Sequence, residues 1–344
     1  MVIIMGQGAT VEHVDAVIAS VEREGFSAFV NPGVERKVIA VLGVVDSRKT
    51  PLVEKFEALD GVERVTLISE PYKLSSRNYH PQDTVVRVGS VEIGGPEVVV
   101  IAGPCSVESR EQILEAAHAV KAGGAKLLRG GAFKPRTSPY SFQGLGRTGL
   151  EYLAEAREAT GLPIVTEILD PFDLPVVSEF TDVFQVGARN MSNFRLLQLL
   201  GRTDKPVLLK RGPSSKLRDM LQAAEYIMVE GNTQVILCER GIVAFDDATR
   251  NTTDINAIPV LKQWSHLPVI LDPSHSVGHT RWIPAIARAG VAAGADGLAI
   301  EVHPRPAEAL SDGGQSLKPD QFRSLMVQLG RVAEAIGRHI GDEG

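Results

Sequence analysis

The sequence predicts an α/β protein, a (β/α)8 TIM barrel preceded by a small βαββαβ module of ferredoxin-like type. Three observations carry this expectation. From Val98 onward, short apolar runs alternate with amphipathic stretches eight times over. The runs are continuous in Val, Ile and Leu rather than alternating with polar residues, as parallel strands covered on both faces require. Each run also ends in residues able to do chemistry, and a barrel of this kind builds its active site at the carboxyl ends of its strands.

The 344 residues suit one barrel of roughly 250 residues plus a small module. The module reads as strands at 2–5, 27–30, 37–42 and 64–68 with helices at 10–24 and 51–59. Its first helix repeats Val11, Val14, Val17, Ile18 and Val21 along one face. A polar stretch over 70–83, with Pro71 and Pro81, marks a linker. Residues 84–88 and 90–93 alternate around Gly89 as a hairpin on the barrel floor. Barrel strands are expected at 98–102, 126–128, 163–168, 183–186, 207–209, 235–237, 269–271 and 297–300. Helices are expected at 109–121, 149–159, 193–200, 216–229, 255–264, 283–292 and 319–340. The resulting domains are 1–72, a linker and hairpin over 73–97, and a catalytic barrel over 98–344.

Composition narrows the function. Hydrophobic content of 44% with 23% charged residues is that of a globular protein with a sizeable core. A net charge of −6 gives no electrostatic footprint for nucleic acid. Two cysteines, Cys105 and Cys238, are too few for a disulfide framework and fit a reducing compartment. The apolar start at Met1 lacks the basic and long apolar regions of a signal peptide, and no run is long enough to span a bilayer. A cytoplasmic protein with no membrane or nucleic-acid partner is expected.

The strand ends fall into two chemical sets. The first strand closes in Gly103-Pro104-Cys105-Ser106, the seventh in Asp272-Pro273-Ser274-His275-Ser276 and the eighth in Glu301-Val302-His303, with Asp312 on the loop beyond. Cys105, His275, Glu301 and Asp312 together offer a thiolate, an imidazole and two carboxylates to a borderline divalent metal, although no CxxC or HExxH spacing announces one. Asp272 and His303 suit either a role in orienting His275 or Glu301 or simple polar satisfaction at the rim. Glu167 ends the third strand.

The second set is cationic. Arg129, Lys134, Arg189, Lys210, Arg211 and Arg240 converge on one mouth and would repel one another unless anions held them together. After the second strand, Gly130, Gly131 and Pro135 let the backbone turn tightly around an anion, and Arg136, Thr137 and Ser138 offer a place for a second phosphate. Two phosphorylated substrates and a metal are implied. Cys238, Trp264 and Trp282 read as core.

The motifs Gly103-Pro104-Cys105-Ser106, Lys134-Pro135-Arg136-Thr137-Ser138, Gly187-Ala188-Arg189-Asn190, Leu209-Lys210-Arg211-Gly212, Cys238-Glu239-Arg240-Gly241 and Asp272-Pro273-Ser274-His275-Ser276 together resemble 3-deoxy-D-arabino-heptulosonate 7-phosphate (DAHP) synthase. The likeness covers essentially the whole chain and is greatest to the type Iβ members with an N-terminal ferredoxin-like domain. It implies condensation of phosphoenolpyruvate with erythrose 4-phosphate, the first step of the shikimate pathway of aromatic amino acid synthesis.

Further expectations follow from the resemblance. The metal, Mn2+ or else Fe2+, Co2+ or Zn2+, falls to Cys105, His275, Glu301 and Asp312. Phosphoenolpyruvate falls to Arg129, Lys134, Ala188, Arg189, Lys210 and Arg240, and the aldose phosphate to Arg136 and Thr137 with Ser138 beside them. Lys134, Glu167, His275 and Asp312 are the expected catalytic residues, Glu167 positioning the attacking water. A homotetramer, and a tyrosine or phenylalanine effector on the first domain, are implied as well. The related 3-deoxy-D-manno-octulosonate 8-phosphate synthase, which takes a five-carbon aldose phosphate, characteristically has Lys-Ala-Asn-Arg-Ser where this chain has Lys134-Pro135-Arg136-Thr137, which favours the four-carbon substrate. A non-catalytic phosphometabolite sensor and a Schiff-base aldolase using Lys210 are the other readings.

Overall fold

The computed structural model describes residues 1–31, 37–44, 49–67, 71–136 and 138–341. By internal contacts the chain divides into two units, Met1–Asp83 with Trp264–His266, and Thr84–Gln263 with Leu267–Gly344.

In the first unit, β1 (Val2–Met5), α1 (Val11–Arg23), β2 (Ser27–Asn31), β3 (Val38–Leu42), α2 (Lys49–Glu57) and β4 (Val62–Thr66) follow in the expected order. The sheet runs β2-β3-β1-β4 with all pairs antiparallel, the ferredoxin-like arrangement. α1 buries Val14, Val17 and Val21 on one stripe, and Thr10 caps it by accepting from the His13 amide at 3.4 Å. Ile3, Ile39, Leu52 and Phe56 complete the core. β4 begins two residues ahead of expectation; Ile68 and Glu70 lie outside the described residues. The stretch 71–83 is no free linker. Tyr72 and Leu74 are buried, Arg77 donates to the Ser265 carbonyl at 2.7 Å, and His266 Nε2 meets the Leu74 carbonyl at 2.7 Å.

The second unit opens with a hairpin, β5 (Val86–Val88) and β6 (Val91–Ile93), turning at Gly89. The barrel comprises β7 (Val99–Gly103), β8 (Leu127–Arg129), β9 (Ile164–Ile168), β10 (Val183–Val186), β11 (Val207–Lys210), β12 (Val235–Glu239), β13 (Val269–Leu271) and β14 (Gly297–Glu301). Each strand pairs in parallel with the next, and β14 closes on β7 with Glu301 opposite Gly103. The hairpin residues Val86, Val88, Val91 and Ile93 join Val99, Ile101, Leu127, Val165 and Leu208 in one buried cluster, so the hairpin plugs the end at which the strands begin.

The outer helices are α3 (Arg110–Ala122), α4 (Arg147–Thr160), α5 (Leu174–Phe180), α6 (Phe194–Gly201), α7 (Leu217–Met228), α8 (Ala257–Trp264), α10 (Ile283–Ala292) and α11 (Pro319–Ala335). Between α8 and α10 lies the short helix α9 (Pro273–Val277). α5 was not expected, though Asp170 and Pro171 before it are start signals, Asp170 accepting from the Phe172 amide. α11 stops near Gly337, whose φ of 74° is left-handed, rather than running to 340. Trp264 and Trp282 are half-buried rather than core, and the Arg281 guanidinium lies 4.2 Å over the Trp282 ring.

Candidate active site

Four ligating side chains meet at the carboxyl end of the barrel. One atom each from Cys105, His275, Glu301 and Asp312 lies within 4.8 Å of the others. Gly103 turns the chain toward Cys105 at a φ of 149°, where a Cβ would stand 2.1 Å from the Arg129 carbonyl oxygen. His275 is delivered by α9, whose cap is Asp272: its Oδ1 accepts from the His275 amide at 2.9 Å. Asp312 has a φ of 52° and is the one non-glycine residue with positive φ among those described, a cost that a functional position can justify.

Within the cluster, Cys105 Sγ lies 3.2 Å from Asp312 Oδ2 and 3.1 Å from both Ser311 Oγ and Lys134 Nζ. His275 Nε2 is 3.4 Å from Glu301 Oε1. Burial and the Glu301 carboxylate push the Cys105 thiol up to about 12. Glu301 Oε1 is buried and has no hydrogen-bond partner among the described residues, although Arg129 Nη2 stands at ion-pair distance, 3.1 Å. A carboxylate oxygen left so is costly unless a cation completes it. The donor set, one sulfur, one imidazole nitrogen and carboxylate oxygens, therefore fits a divalent transition metal.

Asp272 ties this cluster to the neighbouring cations. Fully buried, its Oδ2 accepts from Lys210 Nζ at 2.5 Å and His275 Nδ1 at 2.7 Å. Burial raises its carboxyl but is outweighed by His275, Lys210 and Arg129, which hold it well below the usual range. The bond to Nδ1 leaves Nε2 turned toward Glu301, as a ligating imidazole needs.

Beside the cluster opens a cavity of about 310 Å3, lined by Arg129, Lys134, Arg136, Glu167, Ala188, Arg189, Lys210, Arg240, Arg250, His275 and Asp312 among others. Several of its guanidinium N–H groups lack protein partners among the described residues. Arg129, though paired with Glu301 through Nη2, leaves Nε and Nη1 buried with no hydrogen-bond partner, Arg136 Nη2 is likewise buried without one, and the buried Arg240 side chain has no ion pair. Burial lowers the pKa of Arg240. Arg189 Nη1 donates to the Pro135 carbonyl at 3.1 Å, bringing the fourth strand end to the loop after β8. At Gly187 a Cβ would sit 1.9 Å from Glu167 Oε1, so glycine there makes room for that carboxylate.

The structure thus brings together Cys105, Arg129, Lys134, Arg136, Glu167, Ala188, Arg189, Lys210, Arg240, His275, Glu301 and Asp312. Thr137 lies outside the described residues, and Ser138 is exposed, outside the cavity lining, in a surface turn where its Oγ accepts from the Tyr140 amide. Arg211 does not line the cavity; its Nη1 is taken by Glu239 Oε2 and Asp254 Oδ2, each at 2.8 Å. His303 faces Glu108 at 3.3 Å rather than His275 or Glu301. Arg250 and Asn251 in the cavity wall, and Gln315 beside Glu301, went unread in the sequence because they lie well past their strand ends.

An eight-stranded parallel barrel whose carboxyl end joins unsatisfied arginines to a thiol, imidazole and carboxylate cluster defines an enzyme of small anionic substrates. Residues 76–337 match the DAHP synthetase I family and residues 1–70 the DAHP synthase ferredoxin-like domain, and the chain belongs to the DAHP synthetase I family. It is 49% identical to the phospho-2-dehydro-3-deoxyheptonate aldolase of Thermotoga maritima, over 98% of this chain and 99% of that one. The crystal structure of a Thermotoga maritima DAHP synthase superposes with a TM-score of 0.78 at 48% identity, covering 99% of each chain. The 2-dehydro-3-deoxyphosphooctonate aldolase of Koribacter versatilis is more distant, 33% identical over 73% of this chain and 96% of its own.

Proposed function

We infer that this chain condenses phosphoenolpyruvate with erythrose 4-phosphate and water to give DAHP and phosphate, and so opens the shikimate pathway. The observation that carries the reading is the cavity itself, where buried guanidinium N–H groups without hydrogen-bond partners stand beside a thiol, imidazole and carboxylate cluster in which Glu301 Oε1 accepts no hydrogen bond and meets Arg129 only as an ion pair. Anions on one side and a cation on the other would satisfy both.

Arg129, Lys134, Arg189, Lys210 and Arg240 bind the phosphate and carboxylate of phosphoenolpyruvate, with Ala188 alongside, and Arg136 and Thr137 take the phosphate of the aldose, Ser138 lying outside the cavity. Cys105, His275, Glu301 and Asp312 hold a divalent cation, Mn2+ being the first candidate and Fe2+, Co2+ or Zn2+ the others. When bound, that ion supplies Lewis acidity toward the aldehyde oxygen. The cavity holds C3 of phosphoenolpyruvate against the aldehyde carbon, and positive charge develops at C2 as the new bond forms. Glu167 orients a water toward C2 and takes its proton, with His275 and Asp312 as the other candidate bases, and phosphate leaves with C–O cleavage. Lys134 and the arginines stabilise the departing phosphate.

The octulosonate 8-phosphate synthase reading is weaker because Arg136 places a cation near the cavity and suits the shorter aldose. Phosphate release from phosphoenolpyruvate, measured with four-carbon and five-carbon aldose phosphates with and without chelator, tests the assignment. Release with the four-carbon substrate, lost on chelation, is expected; preference for the five-carbon substrate overturns it. Chelator-insensitive turnover with borohydride trapping would instead make Lys210 a Schiff base.

The first unit is proposed to bind tyrosine or phenylalanine as a feedback effector, supported by the match of residues 1–70 to the ferredoxin-like domain of DAHP synthases. A homotetramer in the cytoplasm is the accompanying proposal; no helix among the described residues is long and apolar enough to cross a membrane. Thermal shift and turnover with each aromatic amino acid test the effector, and no response to any leaves an assembly role.

A further inference from the structure

The segment after β12 contributes no ligand to the cluster, yet it contacts two of the four directly and a third through Gln315. Arg250 Nη1 donates to Gln315 Oε1 at 2.7 Å, and Gln315 Nε2 donates to Glu301 Oε2 at 2.8 Å. Arg250 Nη1 also stands 3.5 Å from Asp312 Oδ1. The next residue reaches the third ligand: Asn251 Nδ2 donates to the His275 carbonyl at 3.0 Å, and its amide to the Ser276 carbonyl at 2.8 Å. Close packing fixes the start of this device, since a Cβ on Gly278 would lie 2.5 Å from Arg250 Cβ.

Resting on the metal-dependent reading above, we propose that Arg250 is a positioning residue for the ligand cluster. Through Gln315 it sets the orientation of Glu301, and by its charge it holds Asp312. Each arm has a physical reason. The Gln315 amide uses its oxygen on Arg250 and its nitrogen on Glu301 Oε2, so the amide cannot flip without losing both bonds, and Glu301 Oε1 is left as the atom turned to the cluster. Asp312, on left-handed backbone, turns Oδ1 to within 3.5 Å of Arg250 Nη1 while Oδ2 faces Cys105 Sγ. Both contacts are made by the one nitrogen Nη1, so the reach of the side chain, set by the packing against Gly278, decides them together.

The test uses the full chain, with divalent cation affinity measured by competition against a chromogenic chelator in the absence of substrates. Arg250→Met and Gln315→Met are each expected to weaken Mn2+ binding about ten-fold, the scale for partners of metal ligands. The melting temperature of the cation-free protein should stay near that of the parent. In the double variant the losses should be less than additive, because both act along one relay. Arg250→Lys should recover little, since the shorter side chain does not carry its ammonium to the position that Nη1 holds between Gln315 and Asp312. Parent-like cation affinity in a folded Arg250→Met overturns the proposal, as does additivity in the double variant. A rise confined to the KM of the aldose phosphate would make Arg250 a substrate ligand instead and overturn it too. Failure of the parent chain to bind any of Mn2+, Fe2+, Co2+ and Zn2+ would be a distinct result, removing the metal reading and this inference with it.

Discussion

Lys210 Nζ lies 2.5 Å from Asp272 Oδ2, and both side chains are buried. The same oxygen accepts from His275 Nδ1. One carboxylate thus neutralises a cation of the anion-binding cavity while orienting an imidazole of the ligand cluster, and the two halves of the site share a pivot. On the proposed assignment, removing the ammonium by Lys210→Met takes a charge-assisted bond from bound phosphoenolpyruvate, worth about 1.5–3 kcal/mol, or roughly ten- to a hundred-fold. Steady-state kinetics should show the KM for phosphoenolpyruvate rising by that factor and the KM for erythrose 4-phosphate changing by less than about three-fold. The reverse pattern would put Lys210 in the other subsite.

Cys105→Ala removes the soft ligand while leaving the fold its support, because Lys134 Nζ retains the Cys105 carbonyl at 3.1 Å. Loss of a direct ligand should weaken cation binding by at least the ten- to hundred-fold typical of its supporting partners. Metal content after dialysis should fall to background, with kcat falling in step. Parent-like turnover by this variant in the presence of chelator would refute the assignment.

How much of this was legible in the sequence depended on distance along the chain. Residues at strand ends, such as Cys105, Glu167, Lys210, His275 and Glu301, could be read because the barrel puts every strand end on one rim. Arg211 was misread for the same reason: the next side chain along a strand points the other way, and its partners Glu239 and Asp254 become visible only with the register in hand. Arg250, Asn251 and Gln315 lie on loops that no periodicity fixes, so their meeting at the cluster had no local signal. α9 did have one, in the Asp272 cap and Pro273 at the first turn, and five residues were too few for a helical pattern to show. The order of the first sheet was implied by βαββαβ alone.

Gly187 offers a test of Glu167 that leaves the carboxylate in place chemically. The backbone there is ordinary, with φ of −65° and ψ of 155°, so alanine incurs no conformational strain. Its methyl would fall 1.9 Å from Glu167 Oε1 and must displace that group. Gly187→Ala should therefore lower kcat by about 10²-fold, the scale of a misplaced general base, as should Glu167→Gln. The melting temperature should move little. Unimpaired kcat in a folded Gly187→Ala would show that Glu167 does not act on the water.

His266 gives the first unit an acid limit. Burial pulls its pKa from 6.5 to about 4, with the Leu74 carbonyl opposing and His80, its ring centroid 4.7 Å away, adding to the fall. A histidine whose folded pKa is depressed binds its proton more readily in the unfolded chain, so stability is lost as pH drops below the unfolded value of 6.5 and the loss levels off below about 4. The full effect is on the order of 3 kcal/mol. Scanning calorimetry of the whole chain between pH 7 and 4 should show a transition that falls steadily through this window. His266→Gln keeps an N–H for the Leu74 carbonyl without a titrating ring, and should make that transition less steep with pH. An unchanged slope in the variant would place the acid sensitivity elsewhere.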